Sequence, residues 1–430
     1  MSGEVTLEDI VSLCKRRGFI FQGSEIYGGL AGTWDYGPLG VQLKKNLMDL
    51  WWKTFVEDRD DMVGLDAAIL MNPRAWKASG HVDTFTDPLV ECANCKGRFR
   101  EDKLDNPNKC PSCGTENSFG EARQFNLMFE TTAGPVASDE AKVFLRPETA
   151  QGIFTNYKNV VDTLYPDVPF GIAQVGKAFR NEISPRDFVF RSREFNQMEV
   201  EYFIHESQWQ ELFEQWRTDI KSFLEQAGVD MTQVEEAEVA EGDLAHYSKR
   251  TIDYEFKYPH GHDELLGLAY RTDFDLRNIE RESGKNMEYR PKDGSEPFVP
   301  HVIEPSFGVE RLVMAVLCSA YEYDEANERI VLRLPAHIAP VKYCVSPLLK
   351  NKPELVAKAR EVYEMLKKKY GAVMWDDNGN IGKRYRRQDE IGTPYCIVVD
   401  FDTLEGEHAG TVTVRDRDTT EQKRAKIEEL

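Results

Sequence analysis

IAQVGKAFRNEISPRDFVFRSREFNQMEVEYF, residues 172–203, holds the densest chemistry in the chain. Two alternating runs flank a polar loop, the pattern of paired strands. The first run puts Gln174, Gly176, Ala178, Arg180 and Glu182 on one face; the second puts Phe195, Gln197, Glu199 and Glu201 together. Small residues leave space on the first face. Arg180, Glu182, Phe195 and Glu199 then supply a cation, acids and an aromatic plate, a floor suited to a purine, a phosphate and an amine. The loop brings Arg186, Arg191 and Arg193, expected to cover the far end of an anion. A surface hairpin with solvated charges fits the same alternation.

Outward from this stretch, composition narrows the options. A chain of 430 residues predicts two or more domains. No run of about 18 apolar residues is present, so no transmembrane helix is expected. The N-terminus lacks a basic segment followed by an apolar core, so a cytoplasmic protein is expected. A net charge of -20 argues against a nonspecific nucleic-acid coat. The acidity lies before Pro335: the remainder carries 17 Lys+Arg against 16 Asp+Glu. A polyanionic partner should therefore meet the C-terminal part, or local basic patches.

Further motifs lie on both sides. VQLKKNLMDLWWKTFVE reads as a helix with Leu43, Leu47, Leu50 and Trp51 on one stripe, while Trp52 cannot share that core. Met62–Met71 reads as a strand that ends at NPR. Cys92-x-x-Cys95 and Cys110-x-x-Cys113, fourteen residues apart, form two knuckles for a structural Zn²⁺ site, with Gly97 and Gly114 expected to supply positive φ; two disulfides are the other reading. The other four cysteines, Cys14, Cys318, Cys344 and Cys396, read as reduced core thiols. In VFLRPETAQG, the residues Arg146, Glu148, Thr149 and Gln151 sit at a helix start, with Pro147 expected in the first turn. A helix is expected from Glu206 to Ala227, continuing as a helical insert over about 205–250. His260 and His262 lack a third ligand and are expected at a strand end on the surface. HVIEPSFGVERLVMAVL reads as a strand ending near Glu304, a turn from Pro305 to Gly308, and an apolar helix with Arg311 one turn in, able to point at a phosphate. From Pro335 onward, strands and helices alternate as in a small α/β domain, with a basic run at Lys383, Arg384, Arg386 and Arg387 that is either an RNA contact or a solvated face.

These motifs resemble those of class II aminoacyl-tRNA synthetases. Arg180-x-Glu182, the loop Arg191 to Phe195 and the return strand resemble motif 2. The helix before Met62 and the strand ending at Pro73 resemble motif 1, and IEPSFGVER resembles motif 3. FNQMEVEYF, RPETAQG and the Phe-Arg-x-Asp context of Arg100 are similar to the glycyl-tRNA synthetase family. The resemblance implies an α+β fold: an antiparallel sheet flanked by helices over residues 1–334, a zinc-knuckle insert at about 91–117, and an anticodon-binding domain over 335–430. It implies a homodimer, and ATP, Mg²⁺, glycine and tRNA(Gly) as ligands.

The residue roles it implies are as follows. Arg180 meets the α-phosphate and the glycine carboxylate, and Arg311 the γ-phosphate, with Arg191 over the triphosphate. Phe195 stacks on adenine, and Glu182 contacts its edge or the nearby substrate. Asn181, Phe190, Leu265 and Gly308 complete the nucleotide site, with Mg²⁺ held by Glu264 or another acid. Arg100, Glu148, Gln197, Glu199, Glu304 and Ser306 enclose glycine. Two alternatives stand beside this: a class II synthetase for a bulkier amino acid, which needs an open pocket, and a non-catalytic nucleic-acid-binding relative, which lacks the ATP residues.

Overall fold

The computed structural model describes residues 5–136, 138 and 141–430. Its centre is a seven-stranded sheet built from β1 (Met62–Gly64), β2 (Phe170–Phe179), β3 (Glu194–Ile204), β4 (Val234–Glu238), β5 (Arg250–Tyr258), β6 (Gly261–Thr272) and β7 (His301–Gly308). The order is β4-β5-β6-β7-β3-β2-β1, antiparallel throughout except for the β1–β2 pair. Strand alternation divides each strand between two environments. Met198, Val200 and Tyr202 of β3 enter the larger core, which they share with Leu47 and Trp51 of α1 (Pro38–Trp52), Phe213 and Trp216 of α3 (Trp209–Gln226), and Leu312 and Val316 of α5 (Val309–Ala320). Phe203 joins a smaller core with Ile153 and Phe154 of α2 (Ala150–Leu164) and Leu276 of α4 (Phe274–Ser283). Between the two cores, Gln197, Glu199 and Glu201 form the polar floor that the alternation predicts.

Trp51 is wholly buried, whereas Trp52 is partly exposed, its ring covering Gly64. Other expectations are corrected. The strand over 62–71 is three residues long, because side chains take the backbone groups that follow: Ala67 N donates to Gln174 Oε1 (2.8 Å) and Arg146 Nη1 donates to Ala67 O (2.8 Å). Pro73 starts a short helix rather than ending a strand, with Asn72 as its cap. Pro147 precedes the first turn of α2, whose cap is Thr149. The helix expected to run on to residue 250 ends at Gln226. Val234–Glu238 is an edge strand, held there by pairs such as Glu236 with Arg217 (3.0 Å) and Glu238 with Arg250 (2.8 Å). β7 runs straight through Pro305 to Gly308 with no turn, and Leu268 of β6 stands opposite Pro305. Proline offers no N–H, and the β3–β7 ladder pairs 197–199 with 308–306 and resumes at 202–204 with 303–301.

The C-terminal part is a second sheet of β8 (Tyr343–Pro347), β9 (Val373–Trp375), β10 (Tyr395–Val399), β11 (Thr411–Asp416) and β12 (Gln422–Lys426), ordered β9-β8-β10-β11-β12. β9, β8 and β10 pair in parallel, and β10–β11 and β11–β12 pair antiparallel. Helix α6 (Pro353–Tyr370) covers its core through Leu355, Val362 and Leu366, and α7 (Ile381–Glu390) carries the basic run. This matches the α/β alternation read from the sequence.

Candidate active site

A cavity of about 320 Å³ opens on the polar floor. Arg180, at the end of β2, is steered by its Nε bond to Pro147 O (3.1 Å), and its guanidinium lies 5.3 Å from the Phe195 ring. Gly176 makes the floor beneath possible: a Cβ there would fall 2.2 Å from Arg146 Nη2, the guanidinium that bonds to Lys177 O and Ala67 O. Across the cavity, Arg311 in the first turn of α5 sits 3.0 Å from the Glu264 carboxylate and 4.5 Å from the Phe190 ring. Its charge holds the Glu264 carboxyl below the usual range. Arg191 reaches Glu182 at 3.7 Å and lines the same wall, with Gly308 nearby. From the cysteine insert, Arg100 enters beside Asp87 (2.8 Å). Four arginines thus face one cavity that contains an aromatic plate.

One end is closed by a hydrogen-bonded wall. Gln197 Nε2 donates to Ser306 Oγ (2.8 Å) and Glu199 Oε1 (2.8 Å), and the Ser306 and Thr149 hydroxyls donate to Glu199 (2.8 and 2.6 Å). Behind it lies a buried acid cluster. Burial, then the charges of Glu304 and Glu148, push the Glu199 carboxyl up to about 8. Burial acts on Glu148 the same way, but His81 at 3.2 Å and then Arg271 outweigh it and hold that carboxyl down at about 2. Arg271 sits at a register shift in β6 and donates to both oxygens of Asp275 (2.8 and 2.9 Å) and to Glu304.

The structure therefore gathers Arg100, Arg180, Glu182, Phe190, Arg191, Phe195, Gln197, Glu264, Ser306, Gly308 and Arg311 around one cavity. Glu148, Glu199 and Glu304 stand behind its wall rather than in its lining. Asn181 and Leu265 lie outside it: Asn181 N donates to Leu127 O, and Leu265 is buried in the large core. Of the three loop arginines, Arg191 alone lines the cavity. Arg193 is spent on the Glu182 and Ala31 carbonyls, and Arg186 pairs with Asp187 at the surface. His260 is not a surface residue, for its ring stacks on Tyr258 and packs against Phe190.

The basic run divides in two. Arg384 is buried, donating to the Pro347, Asp377 and Gly379 carbonyls, and Arg387 pairs with Asp376 (2.8 Å). Lys383 and Arg386 remain exposed.

Sequence reading missed His81, Asp87 and Arg271; His81 meets Glu148 and Arg271 meets Glu304 across long stretches of chain. It also missed a link to α1: Lys44 Nζ donates to Asn196 Oδ1 (2.8 Å) and to Glu310, which accepts from Asn196 N (2.8 Å). Glu310 borders both the arginine-lined cavity and a second cleft under residues 23–36.

The four knuckle cysteines are free thiols whose sulfurs lie within 4.8 Å of one another. Cys92–Cys113 and Cys95–Cys110 are 3.7 and 3.6 Å apart. A disulfide needs about 2.05 Å. A tetrahedron of ~2.3 Å Zn–S bonds has edges of about 3.8 Å, so the set fits zinc. Lys96 (φ 59°) and Gly114 (φ 70°) make the tight turns, Lys96 where Gly97 was expected.

Among the described residues, no helix is long and apolar enough to cross a membrane. Residues 131–320 match the family described as tRNA synthetase class II core domain (G, H, P, S and T), and residues 342–430 match the anticodon binding domain. The chain is 49% identical over 461 residues to the glycine–tRNA ligase of Clostridium acetobutylicum, covering 100% of this chain and 98% of the relative. It is 48% identical over 460 residues to that of Alkaliphilus oremlandii, again with 100% and 98% covered. To that of Borrelia garinii subsp. bavariensis it is 48% identical over 432 residues, with 99% and 96% covered. Identity of this depth along the whole length, on a cavity with the arginines of motifs 2 and 3, places the chain in the glycine–tRNA ligase family of class II aminoacyl-tRNA synthetases.

Proposed function

We propose that the chain activates glycine with ATP, giving glycyl-adenylate and pyrophosphate, and transfers the glycyl group to the 3′ end of tRNA(Gly). The observation that carries this reading is the closed end of the cavity. Gln197, Ser306 and Glu199 bond to one another across the place where a larger substrate would need room for its side chain.

In the first step, a glycine carboxylate oxygen attacks the α-phosphorus and pyrophosphate leaves. Positioning and charge neutralisation dominate such a reaction. Arg180 neutralises the α-phosphate and the incoming carboxylate, Arg311 the γ-phosphate, and Arg191 covers the bent triphosphate. Phe195 stacks on adenine, and Glu182 takes its edge. Arg100 closes the cavity from the insert. Glu148 and Glu304 supply the negative field that attracts the ammonium group through the wall, joined by Glu199 once it is ionised. Mg²⁺ would be held by Glu264 and would neutralise phosphate charge. Zn²⁺ would be held by Cys92, Cys95, Cys110 and Cys113 and would keep the insert folded behind Arg100.

The same reading assigns residues 1–334 to catalysis and 335–430 to the tRNA anticodon, with Lys383 and Arg386 as phosphate contacts. It takes α1 as part of a homodimer interface and the cytoplasm as the place of action. A synthetase for a larger amino acid is disfavoured by the closed wall, and a non-catalytic relative by the retained arginines. The test is ATP–pyrophosphate exchange with each of the twenty amino acids. Exchange with glycine alone is expected, and exchange with another amino acid overturns the reading of the wall.

A further inference from the structure

Glu201 has no part in the site as described so far, yet it is the most deeply sealed acid in the cluster. It is 0% exposed. Neither of its carboxyl oxygens receives a hydrogen bond from a described residue. By the β3–β7 register, residue 201 falls opposite residue 304, at the step the ladder omits beside Pro305. Oxygens of Glu199, Glu201 and Glu304 lie within 4.8 Å of one another. Two ionised carboxylates directly opposite on neighbouring strands repel, and in a sealed site neither could be solvated.

Every charged group around Glu201 can be assigned. On β3 there is Glu199, and on β7 Glu304. On β6 and α4 there are Arg271 and Asp275, already bonded to each other. Glu148, before α2, is answered by His81. Arg271 thus donates to Asp275 and Glu304, His81 pairs with Glu148, and among the described residues no cation bonds to Glu201, which feels the Arg271 charge only from a distance. A carboxyl group with no donor reaching it supplies its own hydrogen when it is protonated. Burial and the facing Glu304 favour that form, holding this carboxyl well above its ordinary range.

We propose that Glu201 is a positioning residue for the substrate amine: a neutral carboxylic acid that donates its hydrogen to Glu304 and fixes that carboxylate between Arg271 and the glycine end of the cavity. The proposal deepens the glycine reading and rests on it. Its logic is that of a buried acid kept neutral so that it can act as a donor. With Glu201 neutral, Glu304 keeps its full negative charge for the ammonium and is held at a fixed angle.

The test uses the full chain and two substitutions. Glu201→Leu removes the donor. It is expected to raise the glycine KM in pyrophosphate exchange about tenfold or more, the cost of a lost bond to a buried charge, while the ATP KM stays within about twofold. Glu201→Gln keeps a neutral donor and is expected to restore the glycine KM to within about threefold, with the wild-type pH profile. In infrared difference spectra between wild type and Glu201→Gln, the carbonyl stretch of a protonated carboxyl group should be present in the wild type and absent in the variant.

Three results overturn the proposal. If Glu201→Gln is as impaired as Glu201→Leu, the group acts through negative charge, as a direct ammonium partner or a cation ligand. If both variants match wild type, or both KM values rise together, Glu201 has no specific role. If the carboxylic acid band is missing, Glu201 is ionised. The glycine reading fails separately, through absence of glycine-dependent exchange in the wild type, and the infrared result still judges Glu201 on its own.

Discussion

Two regions of this molecule bury charge, and they do so to opposite ends. In the C-terminal unit, Asp389 is 1% exposed and lies 2.7 Å from Arg415 and 2.8 Å from Arg329, which precedes that unit in the chain, while Arg384 is spent on backbone carbonyls. Its cations and anions answer each other. Behind the cavity of the catalytic unit, Glu148, Glu199, Glu201 and Glu304 share Arg271 and His81, and Arg271 is also held by Asp275. That balance lacks a cation. Buried charge answered from within is architecture, whereas an excess of buried acids behind a cavity is what the proposed binding of a substrate ammonium group would use.

The largest expected effect breaks the architectural side. Asp389→Ala leaves Arg415 and Arg329 buried without their shared anion and is expected to destabilise the fold by about 3–5 kcal/mol. Chemical denaturation checks this. On the other side, Arg180→Ala is expected to lower glycine-dependent pyrophosphate exchange by about 10²–10³ with little change in melting temperature. If Arg180→Ala destabilises as Asp389→Ala does, the distinction between the two regions collapses.

A pH experiment sharpens it. Glu199 binds a proton up to about pH 8, and an entering ammonium group must find that carboxyl ionised. The glycine KM should therefore fall as pH rises toward that value, by up to about tenfold per unit, and Glu199→Gln should flatten this limb. Without substrate the sign reverses. The folded chain holds a proton that the unfolded chain has already released above the ordinary carboxyl range. Unliganded stability is then lost as pH rises through that window to about 8, which urea midpoints can follow. The smallest effect belongs to the surface: Lys383→Ala should raise the tRNA KM a few-fold and steepen no other parameter, because single exposed phosphate contacts contribute little.

What the sequence disclosed follows the range of its interactions. Period-2 alternation placed Gln197, Glu199 and Glu201 on one face because that pattern is local. Arg180, Phe195, Ser306 and Arg311 were legible because short motifs carry them. The strand over 62–71 was overextended, since what ends it is Gln174 and Arg146, both remote in the chain. Pro305 suggested a turn, yet an omitted step in one ladder accommodates it. Arg384 looked like an RNA contact because its carbonyl partners leave no trace in side-chain pattern. His81 went unseen because Glu148 is remote in the chain, and Arg271 because its pairing with Asp275 is local but its bond to Glu304 is not.

Lys44 and Asn196 are 152 residues apart in the chain, and their bond joins a helix on one side of the molecule to the strand that bears the aromatic plate. Glu310 completes that joint and forms part of the boundary between two clefts. A partition common to two rooms transmits pressure from either. Whatever tilts α1 and draws Lys44 away leaves Glu310 without its cation beside Arg311 on the cavity wall. The shape of the cavity thereby depends on what leans against a helix that takes no part in its lining.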